Sequence, residues 1–187
     1  MFTSIIPDPL HPAVVHLPIA LTLLLPPFVL GALWAIRRGA APVRAWGIAT
    51  AIFAALTLSS WVAVESGEQA SEQVERVVAE APLESHEEAA EAFLTVSAVV
   101  LGVALVGLRS GRIGQTARLL GTAGSVILLG AGWRVGHSGG ALVYQHGAAS
   151  AYTAATGPVA ARQASGGERR AVNPDRGGRD HGEQVDR

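Results

Sequence analysis

The stretch "HPAVVHLPIALTLLLPPFVLGALWAI" at residues 11–36 contains no Asp, Glu, Lys or Arg. Crossing the ~30 Å hydrocarbon layer takes about 20 helical residues, so a run of this length and polarity reads as a membrane span. Three further stretches meet the same test, at roughly 43–64, 88–108 and 116–136, with the first span placed at about 13–36. Hydrocarbon offers no partner to an exposed N–H or C=O, and a helix satisfies its own, so each stretch is expected to be helical. The fold class that follows is all-α, an integral membrane four-helix bundle within residues 1–154. Pro18, Pro26 and Pro27 lie inside the first span and are expected to kink it, since each removes an intrahelical hydrogen bond.

Composition supports the same class. Of the 187 residues, 49% are hydrophobic and 16% charged, against roughly 25% charged in soluble domains. The chain has no cysteine, which excludes disulfides, thiolate ligands, iron–sulfur clusters and covalently attached c-type haem. Any bound metal or haem must use nitrogen or oxygen ligands. The net charge of -1 implies no nucleic-acid partner. The basic residues are all Arg, a usage in keeping with a GC-rich bacterial genome.

Short loops give the orientation. Arg37, Arg38 and Arg44 join spans one and two, and Arg109, Arg112 and Arg118 join spans three and four, while the residues before span one hold Asp8 and no basic group. The positive-inside rule then puts both Arg loops in the cytoplasm and both termini outside, in a bacterial inner membrane. Trp34 and Trp46 fall at the inner interface, and Trp61 and Trp133 at the outer one. The first 36 residues lack Lys and Arg, so the N-terminus reads as a span, not as a secretory signal with its charged n-region. Residues 155–187, rich in Gly, Arg and Asp, are expected to be a disordered extracytoplasmic tail that includes His181.

The 65–87 connection is acidic and therefore periplasmic in this topology. Glu65, Glu68, Glu72 and Glu75 recur at helical spacing as one charged stripe, with Val74, Val77 and Val78 as a small apolar face. Span two is expected to continue above the membrane until Pro82, and span three to start at Ser85 and Glu88, which have capping-box spacing. The result is a periplasmic helical hairpin extension. Its glutamates either solvate the hairpin or offer an acidic docking surface.

Five of the six histidines fall at span ends on this same side: His11, His16, His86, His137 and His146. An ionisable group near the bilayer should face the bundle interior or a ligand, so His16 is expected to turn inward, opposite His137. His86 sits in the first turn of span three, where the helix N-terminus favours neutral imidazole, the metal-ligating form. The glycines of "GHSGG" at 136–140 are expected to break span four and fold 139–147 back over the bundle mouth, aiming Tyr144 and His146 at the other imidazoles. Such a set suits haem b held by one or two His ligands inside a bundle. Copper or zinc on His16, His86, His137 and His146 is the alternative ligand, and structural hydrogen bonding is the alternative role. No C-x-x-C-H, H-E-x-x-H or G-x-S-x-G motif is present. The glycines of "GSVILLGAGWRVG" at 124–136 read as close helix packing, not nucleotide binding.

"LHPAVVHLPIAL" at 10–21 and "GHSGGALVYQHG" at 136–147, with "SGEQASEQV" at 66–74 and "SHEEAAEAF" at 85–93, resemble the bacterial membrane proteins grouped as domain of unknown function 2231. The resemblance covers about residues 8–150 and implies four transmembrane helices. It draws attention to His11, His16, His86, Gly139, Gly140, Tyr144 and His146, and His137 is less uniform in that family. Leu17 stands where the family usually has an aromatic. Related domains accompany cytochrome-like modules, which implies a redox role.

The function expected from all this is a b-type haem-binding electron-transfer protein, an electron carrier or accessory subunit more than a stand-alone enzyme. Its partners would be membrane lipid, a quinone or a periplasmic cytochrome, with homo-oligomers open. The alternative is a non-enzymatic scaffold or accessory subunit, or a copper- or zinc-binding membrane protein. The topology has a direct test. A reporter active only in the cytoplasm, fused after Arg187, should be silent. Strong activity from that fusion would invert the orientation.

Overall fold

Pro18 has no N–H to give to the carbonyl of Val14, four residues earlier, and the chain breaks helix just there. The computed structural model describes residues 10–153. A single turn, α1 (His11–Val14), passes through Val15 into α2 (His16–Arg37). α3 (Pro42–Val74), α4 (Glu80–Val106) and α5 (Gly111–Tyr144) follow, then a short α6 (Ser150–Thr153). The expected kink is thus an interruption ahead of Pro18, while α2 runs on through Pro26 and Pro27. No strand occurs among the described residues.

α2 packs on α3, α3 on α4, α4 on α5, and α5 closes the ring on α2. Four helical segments are long and apolar enough to cross a membrane, His11–Arg37, Pro42–Val74, Glu80–Val106 and Gly111–Tyr144. The chain is therefore a multi-pass membrane protein, with four candidate spans among the described residues. Its polarity is that of a bundle in lipid. Leu17, Leu23, Leu30, Ile48, Leu58, Ile113, Val126 and Ile127 lie on the outer surface, and small hydroxyls such as Ser59, Ser60, Ser97 and Ser125 lie inside, each bonded to a carbonyl of its own helix.

Helix boundaries differ from the sequence expectation at the acidic end. α3 stops at Val74 and α4 begins at Glu80, so Pro82 does not end a helix but sits in the first turn of one. First-turn N–H groups have no intrahelical partner, so proline there sacrifices no bond. The Ser85–Glu88 capping box is not used. α4 starts five residues earlier than Ser85, with Ala79 as its N-cap and no side-chain cap. Glu65, Glu68, Glu72 and Glu75 are exposed as expected, and Val74 and Val78 are buried beneath the turn.

The opposite end is organised around two buried donors. Trp46, expected at the interface, is fully buried, and its Nε1–H donates to the carbonyl of Ala104 at 2.9 Å. The other three tryptophans, Trp34, Trp61 and Trp133, are exposed. Arg118, expected among the loop charges, is also buried, and its guanidinium donates to the carbonyls of Gly107 at 2.6 Å and Arg109 at 3.2 Å. Those are the last carbonyls of α4 and its connection, which a helix cannot bond itself. Three glycines make the approach possible. A Cβ at Gly107 would lie 2.5 Å from the Trp46 Nε1, one at Gly121 would lie 3.1 Å from the ring, and one at Gly114 would overlap the Arg109 carbonyl.

The two helix pairs share one interior register. Buried Pro18, Thr22, Leu25 and Val29 of α2 recur 75 positions later as buried Phe93, Ser97, Val100 and Ala104 of α4. Trp46, Ala49, Phe53 and Leu56 of α3 recur 72 positions later as Arg118, Gly121, Ser125 and Leu128 of α5. Thr50 and Thr122 obey the same offset and make the same bond, to the carbonyl four residues back. The bundle is an internal repeat of a helix pair, and both pairs run in the same sense. Parallel repeats of this kind are related by an axis along the membrane normal.

Removing the buried guanidinium should leave two carbonyls without a donor. Arg118→Ala is expected to destabilise the protein by about 2–3 kcal/mol, read as a lowered thermal midpoint in detergent. Arg112→Ala, on the exposed first turn of α5, should change stability by less than about 0.5 kcal/mol. Equal midpoints for the two variants would remove Arg118 from the structural core.

Candidate functional site

His11 and His86 are the histidines that the fold turns inward, and the internal repeat makes them equivalents, 75 positions apart. On α1, the His11 Nδ1 lies 2.9 Å from the carbonyl of Ala63 and 3.2 Å from the Ser66 hydroxyl. A carbonyl only accepts, so Nδ1 carries the proton. The Ser66 hydroxyl donates its own proton to that same Ala63 carbonyl, at 2.9 Å. The neutral ring therefore has its lone pair on Nε2.

His86 repeats this arrangement on α4. Its Nδ1 lies 2.9 Å from the Ser138 hydroxyl, and Ser138 donates to the carbonyl of Val135 at 3.0 Å. With the serine proton committed there, the imidazole is the donor, and again Nε2 is left as an acceptor. Each ring also lies against the glycine that follows its serine. A Cβ on Gly67 would stand 3.1 Å from His11 Cε1, and one on Gly139 would stand 3.0 Å from His86 Cε1. The two imidazoles are within electrostatic reach of each other.

The cradle has a sequence signature that the histidine pattern alone did not disclose. "WVAVESG" at 61–67 and "WRVGHSG" at 133–139 share Trp, four intervening residues, then Ser-Gly. Ser66 and Ser138 are thus positions of the candidate site that the histidine pattern does not reveal. Self-comparison of the chain at an offset of 72 exposes them.

The remaining expected ligands point elsewhere. His16 is exposed. Five residues of helix rotate a side chain by about 140°, so an inward His11 sends His16 toward the outer surface and not toward His137. His137 is also exposed and stacks on Trp133 with centroids 6.4 Å apart. Its neighbour Ser138 faces His86, and adjacent positions differ by about 100°. His86 itself is not in a first turn, because α4 starts at Glu80.

The glycines at 136, 139 and 140 do not break α5, which continues to Tyr144. Gly139 serves close packing on His86 instead. The chain turns only at Gly147, with φ +71, where the Ala148 N–H donates to the Leu142 carbonyl at 3.0 Å. Tyr144 and His146 consequently face outward, Tyr144 at 89% exposure. The four histidines named for copper or zinc are not brought together, and among the described residues no three His, Asp or Glu side chains form a group that could hold a metal ion. A Cβ added at Gly140 would meet nothing within 4 Å, so this glycine is not required for close packing. The 155–187 tail and His181 lie outside the described residues.

An anionic rim borders the inward pair. Glu87 on α4 lies within electrostatic range of Glu84 and Glu91 on its own helix, of Glu68 on α3 and of Glu75 just past its end. Of the four glycines at 124–136, Gly124 and Gly132 pack closely as expected, while a Cβ on Gly130 or Gly136 would meet nothing within 4 Å. A Cβ on Gly124 would stand 2.8 Å from Val100, and one on Gly132 would stand 3.1 Å from Thr22.

No protein-family model, curated protein or solved structure matches the chain. The resemblance to domain of unknown function 2231 therefore rests on the four quoted motifs.

Proposed function

We propose that this protein binds haem b at the acidic end of its bundle through Nε2 of His11 and of His86, and that it passes single electrons. The observation that carries the reading is the matched pair of cradles. Each holds an imidazole by Nδ1–H and leaves Nε2 as the free donor atom. Ligating histidines characteristically give their other N–H to a carbonyl or similar acceptor, which fixes the tautomer and raises ligand basicity. The donor set fits haem, because two neutral imidazoles would be able to hold its iron and the chain has no competing thiolate. Haem, when bound, supplies a one-electron couple at iron.

The chain's own residues then do three things. Ser66 and Ser138 orient the rings, Gly67 and Gly139 let them lie flat on the helix backbone, and the apolar bundle excludes water beneath them. The exposed Arg37, Arg38, Arg44, Arg109 and Arg112 favour the cytoplasm for the opposite end, which assigns the histidine end to the periplasmic side of a bacterial inner membrane. There the acidic rim suits a cationic electron-transfer partner, and a quinone is the alternative partner within the bilayer.

The same contacts favour one other reading, in which His11 and His86 clamp the helices of a scaffold or accessory subunit and bind nothing. Optical spectroscopy separates the two. Protein purified from haem-replete cells should show a Soret band and, on reduction, a sharp low-spin b-type spectrum. His11→Ala or His86→Ala should abolish or convert it, while His16→Ala and His146→Ala should leave it intact. Absence of a Soret band would overturn the haem reading. Stoichiometric copper or zinc in its place would favour a metal carrier, and neither would favour the scaffold.

The cradles make a finer prediction. Gly139→Ala places a methyl where the His86 ring lies, so it should lower haem occupancy at unchanged expression, measured by pyridine haemochrome per protein. Gly130→Ala, whose Cβ meets nothing within 4 Å, should have no such effect.

A further inference from the structure

The internal repeat extends to the outer surface of the arginine end, where each helix pair encloses an apolar groove. One groove, of about 420 Å³, lies between α4 and α5 and includes Val103, Val106, Ala117 and Leu120. The other, of about 410 Å³, lies between α2 and α3 and includes Phe28, Gly31, Ala45 and Ile48. These residues correspond pairwise at the offsets of 75 and 72 that relate the helix pairs. Three of the four pairs differ in identity, yet the hollow is kept in both halves at nearly one size. A hollow on the lipid-facing surface of a span is filled by whatever apolar chain the bilayer supplies.

The grooves differ in one respect that specifies a ligand. Arg112 and Thr116 border the α4/α5 groove, and no charged residue borders the other. Arg112 is exposed and has no hydrogen-bond or ion-pair partner among the described residues. It stands in the first turn of α5. From Arg112 to Leu120 the helix rises about 12 Å, which takes the groove from headgroup level into the hydrocarbon.

We propose that the α4/α5 groove binds one anionic phospholipid, with an acyl chain along Val103, Val106, Ala117 and Leu120 and the phosphate at Arg112. The α2/α3 groove takes an acyl chain without headgroup preference and serves as the internal control. This inference is independent of what the histidines hold.

Native mass spectrometry of the full chain in delipidating detergent tests it, with phosphatidylglycerol and phosphatidylcholine of identical acyl chains as probes. The parent protein should retain phosphatidylglycerol over phosphatidylcholine by about fivefold, the contribution expected of one arginine at the membrane surface. Arg112→Ala should erase that preference, and Arg76→Ala, at the opposite end, should preserve it. Thr116→Phe fills the groove from its exposed side and should reduce retention of both lipids, with circular dichroism confirming that each variant is folded. Equal retention of the two lipids by the parent, or an undiminished preference in Arg112→Ala, would overturn the proposal. Displacement of the lipid by inorganic phosphate alone would overturn the acyl-chain half of it.

Discussion

A helix end buried inside a bundle has no water to bond to, and the C-terminus of α4 shows how this one meets that constraint. The carbonyls of Ala104, Gly107 and Arg109 take their donors from Trp46 on α3 and Arg118 on α5. A buried guanidinium is costly unless its protons are engaged, and here they are engaged by the groups that most need donors. The bonds require two helices to come within side-chain-free distance of α4 and its connection. That is why glycines stand at 107, 114 and 121, where a Cβ would meet Trp46 or the Arg109 carbonyl. With α4 held from both sides, the register of α3 and α5 along it is set for the rest of their length.

That register carries the site. Once α3 and α5 are fixed, Ser66 and Ser138 arrive at the far end facing His11 and His86, each serine proton already given to the carbonyl three residues back. The two ends solve similar problems with the same equivalent positions of the repeat, Trp46 with Arg118 and Ser66 with Ser138. At the arginine end the pair has diverged in chemistry. At the histidine end the side chains, the hydrogen bonds and the adjoining glycines have all stayed alike. A feature kept in duplicate, where its neighbours have changed, marks the part of the bundle whose geometry is most constrained.

The polarity of the surface fits the same picture. Large apolar side chains cover the outside of the spans, and the interior holds small hydroxyls bonded to their own helices, so packing rather than exclusion of water must hold the helices together. The glycines of α5 serve that purpose against Val100, Thr22 and Phe93.

The sequence by itself determined the number, class and approximate limits of the spans. Length and apolarity are local properties, and hydrocarbon admits no other use of such segments. It also determined which side the histidines occupy relative to the arginines, because alternating spans carry successive loops to alternate ends. Only the tertiary structure decided which histidines face inward. His11 and His16 lie on one short segment, and their difference is a rotation that nothing in span-level hydropathy resolves. Tertiary contacts likewise decided that Arg118 and Trp46 are interior donors, since the carbonyls they serve belong to the end of α4 and its connection. They decided too that "GHSGG" stays helical, because Gly139 is spent on the His86 ring and not on a turn. In each case the deciding partner lies outside the segment itself, so the information lay in the pairing and not in the segment.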